Sequence, residues 1–482
     1  MELLLTLIHS NSMTFFSILV LIIYVCLAVM TTMHILLYKE DIKGAIGWIA
    51  LVFLSPFVGT ILYIFLGINR VKRRGIKLRK KRGMIGRRSI VRKQEEYGDL
   101  KQFIDFSFNV YPQNFAQSNN IKPLQNGTQA YPEMLEAIRN AKKEVLVESY
   151  IFDVDSETDK FFKAFKAAVK NGATVKVMVD GIGTLRFFRR SIEKRLKEIK
   201  GVQCAVFLPP LIPISIPFVN LRNHRKIMII DGKTAFFGGM NLSKENVLLK
   251  DLRSGVQDIT FKIEGPVIDQ ISEVFEDDWE FATGQEMTGS SRYVRYGKSG
   301  GMLARIIPDG PDKNNGKIEA LLHGRINMAK KHIVIVTPYF LPENEILTAL
   351  ELAAQRGVLV ELFVPQVSDH KIMNWAEEPN FFRLLKKGVK IYKTPPPFDH
   401  SKIFIVDSEW VCIGSANWDV RSFKLLFEAN MEIVSKRLAS KLFKIVKAKK
   451  KVAEPANLQD SVDLHFLKRL RNNAARLITP YY

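Results

Sequence analysis

Cysteine is scarce in this chain of 482 residues: Cys26, Cys204 and Cys412 are the whole complement, and no pairing or metal-ligand spacing links them. Neither a disulfide framework nor a zinc site is therefore indicated, and a reducing compartment is expected. Histidine is also sparse, at eight residues, which makes any repeated histidine pattern informative. Acidic residues are outnumbered, 49 Asp and Glu against 71 Lys and Arg, leaving a formal net charge of +22. Such an excess suits a nucleic-acid binder or a protein held against an anionic bilayer, and its position separates the two. Thirteen Lys or Arg and no acidic residue fall within residues 70–93, directly after a long apolar run. A polybasic segment beside a membrane span is attracted to anionic lipid by about 1 kcal/mol per charge, so a membrane, and no nucleic acid, is the expected partner.

Long apolar runs occur at the N-terminus. Residues 15–38 and 46–68 are each long enough to cross a hydrocarbon core of about 30 Å as one helix, with only a short polar link between them. The first run lacks a basic leader and a small-residue cleavage site, so a retained transmembrane hairpin is expected rather than a cleaved signal. Pro56 in the second run is compatible with a membrane helix. By the positive-inside rule the basic run puts the rest of the chain, and Met1, in the cytoplasm.

Beyond the basic segment, apolar runs of strand length alternate with amphipathic stretches, an α/β pattern. Glu136-Ala137-Ile138-Arg139-Asn140-Ala141-Lys142-Lys143 precedes one strand-like run, and Arg325-Ile326-Asn327-Met328-Ala329-Lys330-Lys331 precedes another. Each run leads into a helix ending near a glycine, Gly172 or Gly357, and then a second strand. The chain thus divides into a hairpin (1–68), a basic juxtamembrane linker (69–105), two related α/β halves (106–295 and 296–437) and a basic C-terminal tail (438–482).

The chemistry repeats with the fold. His224-x-Lys226-x4-Asp231 is followed after six residues by Gly238-x-x-Asn241, and His400-x-Lys402-x4-Asp407 after six residues by Gly414-x-x-Asn417. The apolar run after each lysine predicts a buried strand beginning at or near the histidine, with His and Lys on one face. An imidazole can attack phosphorus, a neighbouring ammonium can stabilise its non-bridging oxygens, and an asparagine can donate to the same oxygens. His224, Lys226, Asp231, His400, Lys402 and Asp407 are the candidate catalytic residues, with Asn241 and Asn417 as phosphate binders; no metal or cofactor is expected. Asp231 and Asp407, seven residues past their histidines, fit a turn-forming carboxylate as well as direct chemistry. Asp258 and Glu428 follow their motifs in second strand-like segments and are expected to orient His224 and His400 respectively.

The duplicated motif resembles the phospholipase D superfamily, and with the hairpin nearly the whole chain resembles the bacterial cardiolipin synthases. Thr337-Pro338-Tyr339-Phe340-Leu341-Pro342 and Gly414-Ser415-Ala416-Asn417-Trp418-Asp419 extend the likeness. The resemblance implies two phospholipase D-like halves, mixed β-sheets flanked by helices, and both motifs facing one site. It further implies a multi-pass protein of the bacterial inner membrane that makes cardiolipin and glycerol from two phosphatidylglycerol molecules through a phosphatidyl-histidine, with attack by His224. Relatives often carry Trp-x-Asp-x-His after the first motif, whereas Val256-Gln257-Asp258-Ile259-Thr260 keeps only the aspartate. A hydrolase using water, or a synthase using phosphatidylethanolamine, shares these motifs.

Tyr150 and Tyr339 sit at matching strand ends, where core packing competes with a place near the phosphate. The segment Trp418-Asp419-Val420-Arg421 suits a headgroup reader, but a helix-start cap by Asp419 is the plainer reading. The apolar, proline-rich residues 207–219 suit a loop dipping into the membrane or an irregular buried stretch. Leu464, Leu467, Leu470, Ala474 and Leu477 form an apolar stripe with basic neighbours, for a membrane surface or for docking on the α/β body.

Overall fold

The computed structural model describes residues 2–39, 42–67, 101–183, 191–209, 221–248, 255–287 and 301–478. The polybasic run at 70–93 and most of the proline-rich segment, residues 210–219, lie outside them. The chain forms two units, an N-terminal one ending near Arg74 and a body containing nearly all the rest.

In the N-terminal unit Glu2–Tyr38 is a single helix whose apolar stretch Phe16–Tyr38 holds an 18-residue window of mean hydropathy 2.5. At 1.5 Å per residue that stretch spans roughly 35 Å, enough to cross a bilayer. The second apolar run differs from the single helix expected of it. It is Ile42–Leu54, then Pro56–Leu62, then a π turn at Tyr63–Gly67. Pro56 has no N–H to give, and its ring pushes Ser55 out of helical geometry to φ −152° and ψ 82°. The two runs return on each other through Thr31 and Thr60, whose hydroxyls are 2.9 Å apart, and through His34 Nδ1 and the Tyr63 hydroxyl, also 2.9 Å apart.

The body is built on a continuous mixed sheet of 16 strands with a repeat at its centre. Outward from the middle, Ala116–Gln125 is followed by Ile259–Glu264, Thr234–Gly238, Ile227–Ile230, Glu144–Ser149, Thr174–Asp180 and Val202–Phe207. In the other direction Met302–Asp309 is followed by Leu426–Val434, Trp410–Gly414, Ile403–Val406, His332–Val336, Leu359–Pro365 and Lys390–Thr394, the same order. Ala116–Gln125 and Met302–Asp309 pair antiparallel, so the two predicted sheets are one. Helices cover it because their faces are sorted: Thr158–Lys170 buries Phe161, Phe162, Ala164, Phe165 and Ala168 and turns its lysines outward. Each half has its own apolar core. The helix Lys101–Val110 precedes the first half in sequence, yet Phe103 and Ile104 pack into the core of the second. It is held there by Arg305, fully buried, which donates to Glu432 and to the carbonyls of Ser107, Tyr111 and Gln113.

Asp231 and Asp407 are brought to equivalent places, and these are not beside the histidines. Each ends its motif strand in left-handed geometry, φ 52° in both cases. The Asp231 carboxylate accepts the backbone N–H groups of Lys142, Lys143 and Glu144, and Asp407 those of Lys330, Lys331 and His332, at 2.7–3.2 Å. Four strand residues separate lysine from aspartate, which carries the carboxylate to the far end of the sheet, where it fastens the strand to the preceding helix–strand turn. Asp231→Ala and Asp407→Ala should each cost about 1–2 kcal/mol, the worth of a few part-exposed charge-assisted hydrogen bonds, and leave turnover within roughly threefold. Urea unfolding with parallel activity measurement checks this; a loss of turnover beyond the loss of folded protein would restore a chemical role.

Candidate active site

Each motif histidine stands before its strand rather than in it. The strands begin at Ile227 and Ile403, three residues on, and the intervening segments are irregular. What fixes them is a short parallel pairing with the opposite half. Arg222–Asn223 pairs with Leu426–Phe427, and Phe398–Asp399 with Val256–Gln257. The next backbone bonds continue the pattern: His224 N–H donates to Phe427 O at 2.8 Å and His400 N–H to Gln257 O at 2.7 Å. Above each bend the preceding side chain accepts from the backbone two residues on, Asn223 from Arg225 and Asp399 from Ser401.

This register decides which carboxylate meets which imidazole. The residue after Phe427 is Glu428, and the residue after Gln257 is Asp258. His224 Nδ1–H donates to Glu428 Oε1 at 2.9 Å, and His400 Nδ1–H to Asp258 Oδ2 at 2.8 Å. The expected pairing within each half, Asp258 with His224 and Glu428 with His400, is corrected: the partners cross. The two lysines stay with their own motifs. Lys226 Nζ donates to His224 O at 2.6 Å and Lys402 Nζ to His400 O at 2.8 Å, and Lys402 Nζ also lies 2.9 Å from both ring nitrogens of His400.

Both histidines line a single cavity of about 360 Å³, together with Asn241, Asn417, Tyr150 and Tyr339. The Asn241 side-chain carbonyl accepts the Ile151 N–H at 3.2 Å, whereas Asn417 Oδ1 is buried without a hydrogen-bond partner among the described residues. Tyr150 meets the His224 ring edge-to-face, centroids 5.0 Å apart, so it is part of the site as well as of the wall. Tyr339 donates to Asp369 at 2.6 Å. Asp419 caps the helix Val420–Lys424 by accepting the Ser422 N–H at 2.7 Å, and with Arg421 it also borders the cavity. Residues 369–373, contributing Asp369, His370 and Met373, carry no motif that marks them, and only the fold brings them there.

The halves are not chemically identical. Ser415 donates its hydroxyl to Glu428, while the equivalent residue is Gly239. A Cβ at Gly239 would meet Lys402 Cδ at 2.9 Å and the Asp258 carboxylate oxygens at 3.1 and 3.2 Å, so a serine has no room there. Beneath His224, Arg225 is fully buried and donates to the carbonyls of Glu428 and Asp309 and to Asp278. Ser401, its counterpart, donates to Asp399.

Burial sets the charge states. It lowers His224 to about 3, with Lys226 and Lys402 pushing the same way against Glu428. Burial lowers His400 as well, with Lys402, against Asp258. Burial would raise Glu428, but His224, Lys226 and the Ser415 hydroxyl outweigh it and hold the carboxylate down at about 2. Lys226 is driven well below its ordinary value and Lys402 to about 8, again by burial first. Two imidazoles and two ammonium groups whose charged forms burial disfavours are together suited to an anionic partner, and a phosphodiester is one.

Comparison with known proteins gives the following. A family model described as cardiolipin synthase, PLD-like domain, matches residues 134–279 and 322–449, and one described as phospholipase D-nuclease N-terminal matches 26–67. A cardiolipin synthase of Clostridium perfringens (strain SM101) is 33% identical over 90% of this chain and 93% of its own length. The major cardiolipin synthase of Bacillus subtilis is 30% identical over 92% of this chain and 95% of its own. The crystal structure of phosphatidylserine synthase from Haemophilus influenzae, 16% identical, shares the fold with a TM-score of 0.61, covering 78% of this chain and 99% of that one.

Two measurements test the geometry. Glu428→Gln should move the Nδ1 proton resonance of His224 and leave that of His400, with Asp258→Asn doing the opposite; the reverse response would overturn the crossing. Tungstate, a phosphate mimic, should bind best where Lys402 is an ammonium, so its affinity should fall roughly tenfold per pH unit above about 8. Calorimetric titration should lose that slope in Lys402→Met.

Proposed function

Because the chain belongs to the cardiolipin synthase family of phospholipase D-like proteins, we propose that this phosphatidyltransferase makes cardiolipin and glycerol from two phosphatidylglycerol molecules. The observation that carries the reading is that two histidines, each backed by a carboxylate of the opposite half, border one cavity. Neutral His224 keeps its proton on Nδ1 toward Glu428, leaving Nε2 with the lone pair for attack. Nε2 attacks phosphorus of the first phosphatidylglycerol, the P–O bond to the headgroup glycerol breaks, and protonated His400 gives its proton to the departing oxygen. The phosphohistidine that forms is cationic, and Glu428 stabilises it. A second phosphatidylglycerol then enters. His400 takes back a proton from its glycerol hydroxyl, that oxygen attacks phosphorus, and the P–Nε2 bond breaks, returning both imidazoles to their first states.

Burial disfavours protonated His400, and the substrate's own charge offsets this by supplying a neighbouring anion. Lys226 and Lys402 hold the non-bridging oxygens, while Asn241 and Asn417 contact the phosphate or the headgroup hydroxyls. No metal or cofactor enters these steps. The same reading has the hairpin crossing the inner membrane twice, with the body on the cytoplasmic side; the basic residues 70–93 support that topology.

Incubating the purified protein with phosphatidylglycerol should release glycerol and cardiolipin in equal amounts. Phosphatidic acid as the main product would make water the acceptor and replace this reading with a hydrolase. His224→Ala and His400→Ala should each lower turnover by at least about 10²–10⁴-fold, the range of acid–base help alone. Near-normal turnover in His400→Ala would remove the two-histidine mechanism.

A further inference from the structure

The C-terminal helix Phe466–Ile478 is attached to the wall of the cavity by one face only. Among its described side chains the buried ones are Asn472 and Ala475, one turn apart. Ala475 completes a small apolar cluster with Tyr339, Met373 and Ala376, against which Phe398 and Trp375 pack. Tyr339, Met373 and Phe398 are themselves cavity wall. Arg471 lays its guanidinium 4.3 Å from the centre of the Trp375 ring, securing the helix along Lys371–Leu385.

The opposite face has no such cover. Phe466, Leu467, Leu470 and Leu477 are 70, 63, 57 and 75% exposed, and at the helical repeat they occupy a sector of about 100° facing away from Asn472 and Ala475. Among the described residues of the body ten large hydrophobic side chains are exposed, so this one helix of 13 residues carries four of them. Arg469 and Arg476 flank the stripe on one side and Arg471 on the other, and the helix has no acidic residue. An apolar sector between cationic shoulders is the pattern of a helix lying in a bilayer interface, with the leucines among acyl chains and the guanidinium groups at anionic headgroups. A second copy of the same helix is the poorer occupant, because a two-fold contact would set arginines against arginines.

We infer that Phe466–Ile478 is an interfacial helix that seats on an anionic lipid surface and, through Ala475, holds the cavity wall at headgroup depth. A lipid can then present its phosphate to the cavity without its tails crossing water. This consequence rests on the reading of a membrane phospholipid as substrate; the seating itself does not.

The test uses the full chain in vesicles of phosphatidylcholine with about a third phosphatidylglycerol. In a background with Cys26, Cys204 and Cys412 replaced by Ala, a nitroxide on Leu470→Cys should be more accessible to oxygen than to an aqueous nickel chelate. Greater access to nickel, or spin–spin broadening from a neighbouring copy, overturns the inference. L467Q/L470Q/L477Q should lose roughly five- to tenfold in turnover on the vesicles and stay within twofold on a water-soluble short-chain phosphatidylglycerol. Equal loss on both donors, or none on either, also overturns it. A lipid-buried nitroxide in a protein that transfers no phospholipid would keep the interfacial helix and reject the substrate reading instead.

Discussion

A hydrogen bond between an imidazole of one half and a carboxylate of the other can form only if two short parallel strand pairings hold, Asn223 opposite Phe427 and Asp399 opposite Gln257. Each pairing hands the histidine N–H to the carbonyl just before the acidic residue, so backbone register, rather than side-chain reach, aligns ring and carboxylate. A slip of one residue would turn the acid to the other side of its strand. Neither half supplies the carboxylate for its own motif histidine, and the charge states follow from the union: Glu428 stays ionised in a fully buried place because it faces a histidine and a lysine that precede it by some two hundred residues.

Beneath the site lies a second layer of buried charge. Arg225 reaches Asp278 and two carbonyls, and Asn223 donates to Glu148, whose carboxyl burial and Asp278 push upward. Arg305 and Glu432 make a comparable arrangement across the central strands. Burying ions is expensive, and such pairs hold only where every donor finds an acceptor. Here many of the acceptors are backbone carbonyls, those of Glu428 and Asp309 for Arg225 and of Ser107, Tyr111 and Gln113 for Arg305, so the charges fix positions of the main chain.

Much of this was legible in the residues. The two His-x-Lys motifs, the α/β alternation and the repeat are local or periodic signals, and the structure returns the repeat strand for strand. The crossing of Asp258 and Glu428 was not, because proximity in sequence favours the acid downstream of each motif and no local pattern reports a register between distant strands. Asp231 and Asp407 stood open between a turn and the chemistry for a related reason: a motif preserves what a strand needs at its far end as well as what a site needs at its near end. Pro56 split a run whose composition alone reads as one helix. The helix Lys101–Val110 packs on a core whose residues come two hundred positions later, through Arg305, and nothing near it in sequence points there.

The continuous sheet, with like strands running outward from Ala116–Gln125 and Met302–Asp309, has the layout of a symmetric dimer whose copies share one covalent chain. In a true dimer any change in one subunit is imposed on the other, and the two histidines would be compelled to remain equivalent. Joining the copies lifts that compulsion. Ser415 can steady Glu428 while Gly239 gives way to the close approach of Lys402 and Asp258, and Arg225 can replace what is Ser401 opposite. Covalent fusion thereby lets a two-step exchange have two specialised ends, each open to drift on its own, within a frame that still folds as a pair.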